Sequence, residues 1–333
     1  MHGRAHRVAS ATRFARMLVF AGIGSLALSQ ARAEPYPTRP IHVVVSTSAG
    51  GVTDLCARIF GAFVTARSGQ TVVIDNKSGA GGNIAMDMVA KAAPDGYTLG
   101  VANTGNIVIN PYLYRHMPYD PLNDLVPVGS LGQVPLFLVV NGKVPARTLQ
   151  EFVAYAKREP GKLSYASAGT GTTPHLAADE FIRRAGLNIV HVPYRGSAPG
   201  VMDVISGNIP MTFISTGPHM EFVRRGDLRI LAVAADKRLP YLPDVPTFGE
   251  QGFPGFAVST WFALFAPSGT PHEIVEDLNA DVRDMIADPD SRRRLEGNFV
   301  DPTPLTTAQF AAEVKADAAK WERIVRASGA KVD

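Results

Sequence analysis

The sequence predicts an α/β protein of two lobes joined by two crossing strands. Three observations predict it. Short apolar, β-branched runs alternate with helix-periodic runs from residue 41 onward, as in parallel sheets with crossover helices. Two glycine-rich loops, Ser46-Thr-Ser-Ala-Gly-Gly-Val-Thr-Asp54 and Ser78-Gly-Ala-Gly-Gly-Asn83, each stand between a strand-like and a helix-like run. Two long apolar segments, 134–141 and 258–266, bracket a middle block, as two crossings between lobes would.

The chain opens with an export pattern. Arg4, Arg7, Arg13 and Arg16 form a basic start, residues 17–28 a short apolar core, and Ala31-Arg32-Ala33 an A-x-A cleavage site. The apolar run falls short of the roughly 20 residues that a membrane span needs. Residues 1–33 therefore read as a cleaved signal, and the rest as a soluble protein outside the cytoplasm. Five of the 33 basic residues leave with it, so 28 basic side chains face 30 acidic ones, a balance of −2. The basic pI thus gives no support for nucleic-acid binding. Cys56 is the single cysteine, which excludes an internal disulfide. It sits in an apolar stretch that reads as the buried face of a helix, hence as an inert thiol.

In chain order, 41–45 is a strand and 52–67 a helix; 71–75 is a strand and 82–93 a helix, stopped by Pro94-Asp-Gly96; 98–102 is a strand. The middle block opens on Thr148-Leu-Gln-Glu151, a capping box for helix 149–158, which Pro160-Gly161 stops. Strand 163–166 leads through loop 167–173 to a helix with Pro174 at its first position and Thr173 as its cap. Strand 188–192, loop 194–199, helix 200–206 and strands 210–215 and 229–234 follow. Thr270-Pro-His-Glu273 reads as another capping box, for helix 271–287, and helix 307–327 ends the chain. The predicted lobes are 34–135 with 263–333, and 136–262, with a ligand cleft between them where loops at strand C-termini converge.

Glycine loops at helix starts turn backbone N–H groups and the positive end of a helix toward a ligand, and such a site prefers anions. Gly50 and Gly51 suit this role because it needs only their amides. Thr53 and Asp54 open the first helix, where they either cap it or contact the ligand, and Gly82 and Asn83 have the same duality at the second. In the middle block, Ser167, Gly169, Thr172 and Thr173 offer hydroxyls and amides; the loop lacks the Gly-Lys-Ser/Thr ending of a nucleotide-binding P-loop. His175, in the first turn after Pro174, is either structural or near the cleft. Tyr194 and Arg195 precede Gly196, and Arg195 could meet a carboxylate through two bonds or lie on the surface. Trp261 is core by default. The histidines outside the leader are scattered without ligand spacing, so neither a metal nor another cofactor is expected.

These residues resemble the Bug-type extracytoplasmic receptors of tripartite tricarboxylate transporters. The resemblance rests on Tyr36-Pro-Thr-Arg-Pro40, Gly50-Gly51-Val-Thr-Asp54, Gly79-Ala-Gly-Gly-Asn83, Ala92-Ala-Pro-Asp-Gly-Tyr-Thr-Leu99 and Asn110-Pro111. It continues through Tyr165-Ala-Ser-Ala-Gly169, His191-Val-Pro-Tyr-Arg-Gly196, Leu242-Pro-Asp-Val-Pro-Thr247 and Ala266-Pro-Ser-Gly-Thr-Pro271. It implies a periplasmic, monomeric binding protein of the type II, Venus-flytrap fold that takes small carboxylic acids or amino acids and serves integral-membrane transporter subunits. Thr104, Asn106 and Ser215 are further candidate contacts, and Thr104-Gly-Asn106 departs from the serine/threonine pair more usual in the family. The chain departs from the family where Ser46, Thr47, Ser48 and Ala49 replace the usual proline and aromatic residue before the double glycine. Three hydroxyls there predict a polar pocket for a more hydroxylated or more charged acid. Ile214 stands where an acidic residue is common, which argues against an α-ammonium ligand. Two other functions compete: a periplasmic sensor subunit that presents ligand to a signalling kinase, and a secreted enzyme acting on a carboxylic acid. The enzyme lacks sequence support, with no G-x-S-x-G, no H-E-x-x-H and no cysteine–histidine arrangement.

Overall fold

Among the described residues, ten strands form two five-stranded sheets built on one plan. The computed structural model describes residues 36–194, 196–215 and 219–332; the export pattern of 1–33 and Arg195 lie outside the described residues. Residues 39–332 form one compact unit that contains both sheets.

The first sheet has the order β2 (Val72–Asn76), β1 (Ile41–Val45), β3 (Thr98–Asn103), β10 (Ser259–Pro267), β4 (Leu125–Pro135). β1 runs parallel to β2 and β3, and β10 antiparallel to β3 and β4. The second has the order β7 (Ile189–Pro193), β6 (Leu163–Ser167), β8 (Met211–Ile214), β5 (Phe137–Asn141), β9 (Leu228–Val233). Here β6 is parallel to β7 and β8, and β5 antiparallel to β8 and β9. Each sheet is thus a parallel trio extended by an antiparallel pair.

The helices are α1 (Val52–Ser68), α2 (Asn83–Ala90), α3 (Asn110–Leu113), α4 (Leu149–Arg158), α5 (Thr173–Ala185), α6 (Ser197–Ser206), α7 (Met220–Arg225), α8 (His272–Ala287), α9 (Pro289–Glu296) and α10 (Thr307–Ser328). α1 buries Cys56, Ala57, Ile59, Phe60 and Val64, which recur every three to four residues and so share one face. Burial pushes the Cys56 thiol up to about 12, as an inert core cysteine requires. Trp261 is buried, stands edge-on to Phe310 and donates its indole N–H to Asp317, so it belongs to the core.

The apolar run 134–141 is two strands rather than one. Pro135 ends β4 in the first sheet and Phe137 starts β5 in the second. Between them the Leu136 N–H bonds Val258 O at 3.0 Å, the Ala234 N–H bonds Leu136 O at 2.8 Å, and the Val258 N–H bonds Ala234 O at 2.9 Å. The crossing chains are therefore laced to each other where they pass between the sheets.

Several local expectations need correction. The second helix ends at Ala90, three residues early. The cap of α5 is Thr172, and its hydroxyl donates to Gly169 O at 2.7 Å instead of receiving a helix amide. Thr270 likewise donates to Pro267 O, which removes it as a cap and leaves Pro271 at that position. A capping box that the pattern missed, Thr306 with Gln309, starts α10. Helices α7 and α9, too short for a periodic signal, were not expected.

Candidate functional site

The loop after β1 is held from behind. Asp54 accepts hydrogen bonds from the Gly50 N–H (2.9 Å), Arg58 Nε (2.9 Å) and Asn76 Nδ2 (3.0 Å). Burial alone would raise its pKa, but these donors and the Arg58 charge outweigh burial and hold the carboxyl below its usual value. Asp54 thus acts on the loop preceding its helix, while Gly51 is the N-cap residue and no side chain caps the helix. Asn76 also donates to Thr47 O at 3.0 Å, so one amide ties β2 to the loop. Asn76→Ala is expected to cost about 1–2 kcal/mol, because it leaves both acceptors without their donor; urea denaturation measures it.

The first-turn amides of α1, left uncapped, open onto a cleft of about 490 Å³. Gly50, Gly51, Val52, Asp54, Leu55 and Arg58 line one side; Val134, Ser215 and the segment Gly297-Asn298-Phe299 line the rest. Ser46 Oγ and Thr47 Oγ1 are buried without a hydrogen-bond partner. Both follow β1 directly. Of the candidates, the cleft brings together Gly50, Gly51, Asp54 and Ser215. Arg58, Val134 and Phe299 went unnoticed in the sequence. Arg58 had a signal, since it stands one helical turn beyond Asp54 on the same face.

The second glycine loop serves its own support. Gly79, Ala80, Gly81 and Gly82 all have positive φ, so the chain coils tightly before α2. Gly81 O accepts from Asn106 Nδ2 and from Asn110 Nδ2 (3.2 Å). Asn110 Nδ2 also reaches Asn83 Oδ1 at 2.7 Å, and Asn83 Nδ2 meets Met117 Sδ at 3.3 Å. Thr104 Oγ1 accepts the Trp261 N–H at 2.9 Å. Asn83, Thr104 and Asn106 are buried and use these polar atoms inside the protein.

In the second sheet, Ser167 Oγ lies 2.7 Å from His191 Nε2 and accepts the Gly169 N–H at 3.1 Å. His175 Nδ1 accepts the Gly171 N–H at 3.1 Å, and its Nε2 lies 3.3 Å from Asp179 Oδ2. Tyr165 donates to Asp179 Oδ1 at 2.5 Å, and the His175 and His191 rings stack with centroids 4.1 Å apart. Burial lowers the pKa of both imidazoles against the pull of Asp179, that of His191 to about 4 with help from its histidine neighbour. The Ser167–His191 contact was not anticipated, because the partners are 24 residues apart and meet only through the parallel β6–β7 pair. The Ser167 hydroxyl is buried with His175, and His191 is half-buried against them, so the group fastens the loop 168–172 from within. Tyr194 turns away to donate to Asp203 at 2.5 Å. Among the described residues, no group of three His, Cys, Asp or Glu is placed to hold a metal ion.

A paired-sheet α/β chain with a cleft at an open helix N-terminus is the architecture of a solute-binding receptor. A family model described as "Tripartite tricarboxylate transporter family receptor" matches residues 56–330, and the chain belongs to that family. It is 35% identical over 301 residues to protein BugT of Bordetella pertussis, covering 90% of this chain and 92% of the other. It is similar to a solved R. palustris protein with adipate, at 36% identity and TM-score 0.78, covering 89% of this chain and 100% of that one. It is also similar to MatC of Rhodopseudomonas palustris with bound malate, at 33% identity and TM-score 0.73, covering 87% of this chain and 100% of that one.

Proposed function

We propose that the protein captures a small carboxylic acid in this cleft, outside the cytoplasmic membrane, and delivers it to integral-membrane transporter subunits. The observation that carries the reading is the uncapped start of α1 at the cleft, with Gly51 and Arg58 beside it. An anion there gains amide donors, the helix dipole and a nearby cation without any group that would react with it. The adipate and malate of the two similar structures support the ligand class. The same reading takes 34–135 with 263–333 as one lobe and 136–262 as the other, residues 1–33 as the export signal, and closure of the lobes as the form a membrane partner recognises. It assigns no catalysis to the protein.

Thermal melting against a panel of acids tests this. An acid at ten times its Kd is expected to add about 1.4 kcal/mol, a shift of a few degrees. The acid is expected to be recovered unchanged. If it were consumed, the secreted-enzyme reading would replace this one. If no acid shifted the melt, even after refolding from denaturant to strip any carried ligand, the anion site would be abandoned.

A further inference from the structure

The wall of the cleft facing α1 carries an unusual residue. Phe299 has φ +61°, a left-handed conformation that a bulky side chain seldom adopts. It is held there from both sides. Before it the Asn298 N–H bonds Leu295 O at 2.9 Å; after it the Val300 N–H bonds Leu295 O at 3.1 Å, and Asp301 exchanges backbone bonds with Gln133 at 2.8 and 2.9 Å. The Phe299 ring lines the cleft and meets Tyr241 edge-on, with centroids 5.8 Å apart. Tyr241 follows β9 of the second sheet, so this aromatic contact ties the segment after that strand to the Phe299 wall of the cleft.

The charges point the same way. Among the described lining residues only Asp54 and Arg58 are ionised, and they bond each other at 2.9 Å. The cleft is therefore close to neutral before a ligand enters. One carboxylate can be met by the α1 amides, but among the described lining residues a second or third would find no cation that is not already paired, and would lose its hydration uncompensated. Beyond the polar end the lining is apolar: Val52, Leu55, Val134 and the Phe299 ring. The three hydroxyls of the first loop predict a more polar pocket than this; Ser46 and Thr47 bury their hydroxyls, and none of Ser46, Thr47 and Ser48 is among the residues lining the cleft.

We infer that the cleft selects an aromatic monocarboxylate, its acid group at the start of α1 and its ring between Leu55, Val134 and Phe299. The inference rests on the receptor reading above and names the substrate class of that site. Calorimetric titration of the protein with benzoate, phenylacetate, hexanoate, malate and citrate tests it, beside a Phe299→Asn variant. Asparagine tolerates positive φ, so the variant keeps the backbone and removes the ring. An aromatic acid is expected to bind at least about tenfold more tightly than malate or citrate, and Phe299→Asn to weaken it about tenfold. Tighter binding of malate or citrate would overturn the inference and leave the receptor reading standing. Hexanoate binding as well as the aromatic acids would overturn the aromatic requirement. Unchanged aromatic affinity in Phe299→Asn would remove the ring from the site. If none of these acids bound refolded protein while another acid shifted its melt, the inference would fall and the receptor reading would stand.

Discussion

Gly82→Ala is expected to destabilise the protein by about 3–4 kcal/mol, the sum of left-handed strain and overpacking. Gly82 has φ +93°, and a Cβ there would stand 2.1 Å from Asn106 Nδ2 and 3.1 Å from Ser46 Cβ. Asn106 has no room to yield. Its Nδ2 bonds Gly81 O, its Oδ1 accepts the Asn103 N–H at 3.1 Å, and its carbonyl accepts the Tyr119 hydroxyl at 2.9 Å. Gly50→Ala isolates the strain from the clash: φ is +86°, but nothing lies within 4 Å of the added methyl, so about 1 kcal/mol is expected. Equilibrium denaturation of both variants measures the difference. If the two cost the same, the packing of Asn106 against the second loop is not what holds that loop.

The glycine loops were readable because their chemistry is local. An apolar β-branched run, a glycine pair and a helix-periodic run say strand, turn and helix start without reference to the rest of the chain. The parallel trio on one side of each sheet followed from those units. The crossing at Leu136 was readable only as an apolar stretch, because periodicity cannot show that one run feeds two sheets. The site was less legible. Whether a polar side chain faces a cleft or its own loop depends on partners far along the chain. Asn83 and Asn106 stand in the right loops yet spend their amides on Met117 and Gly81. Phe299 lies 245 residues after Asp54 in the sequence and shares its cleft only because Asp301 pairs with Gln133 on β4.

Acid is expected to weaken the fold through the two stacked histidines. Gly171 donates to His175 Nδ1, so that nitrogen must keep its lone pair, and the ring is neutral in the fold. His191 is held at about 4 against an ordinary 6.5 by burial and by His175, with Asp179 the opposing charge. Below pH 6.5 the unfolded chain therefore binds protons that the folded chain refuses. Stability is full above about 6.5 and is lost as pH falls toward 4. By pH 5, His191 alone is expected to remove about 1–2 kcal/mol, allowing for its partial exposure, and His175 adds to this in the same direction. Burial raises the carboxyls of Asp281 and Glu313, which work in the opposite sense, so wild type alone does not isolate the imidazoles. His191→Phe does: it keeps a ring against Tyr165, 4.8 Å away in the native stack, and removes the titrating group. Urea melts at pH 7.5 and 5.0 are expected to show a smaller loss in the variant than in wild type. An equal loss in both would mean that the pH dependence arises elsewhere, and that the loop 168–172 does not depend on a neutral imidazole pair.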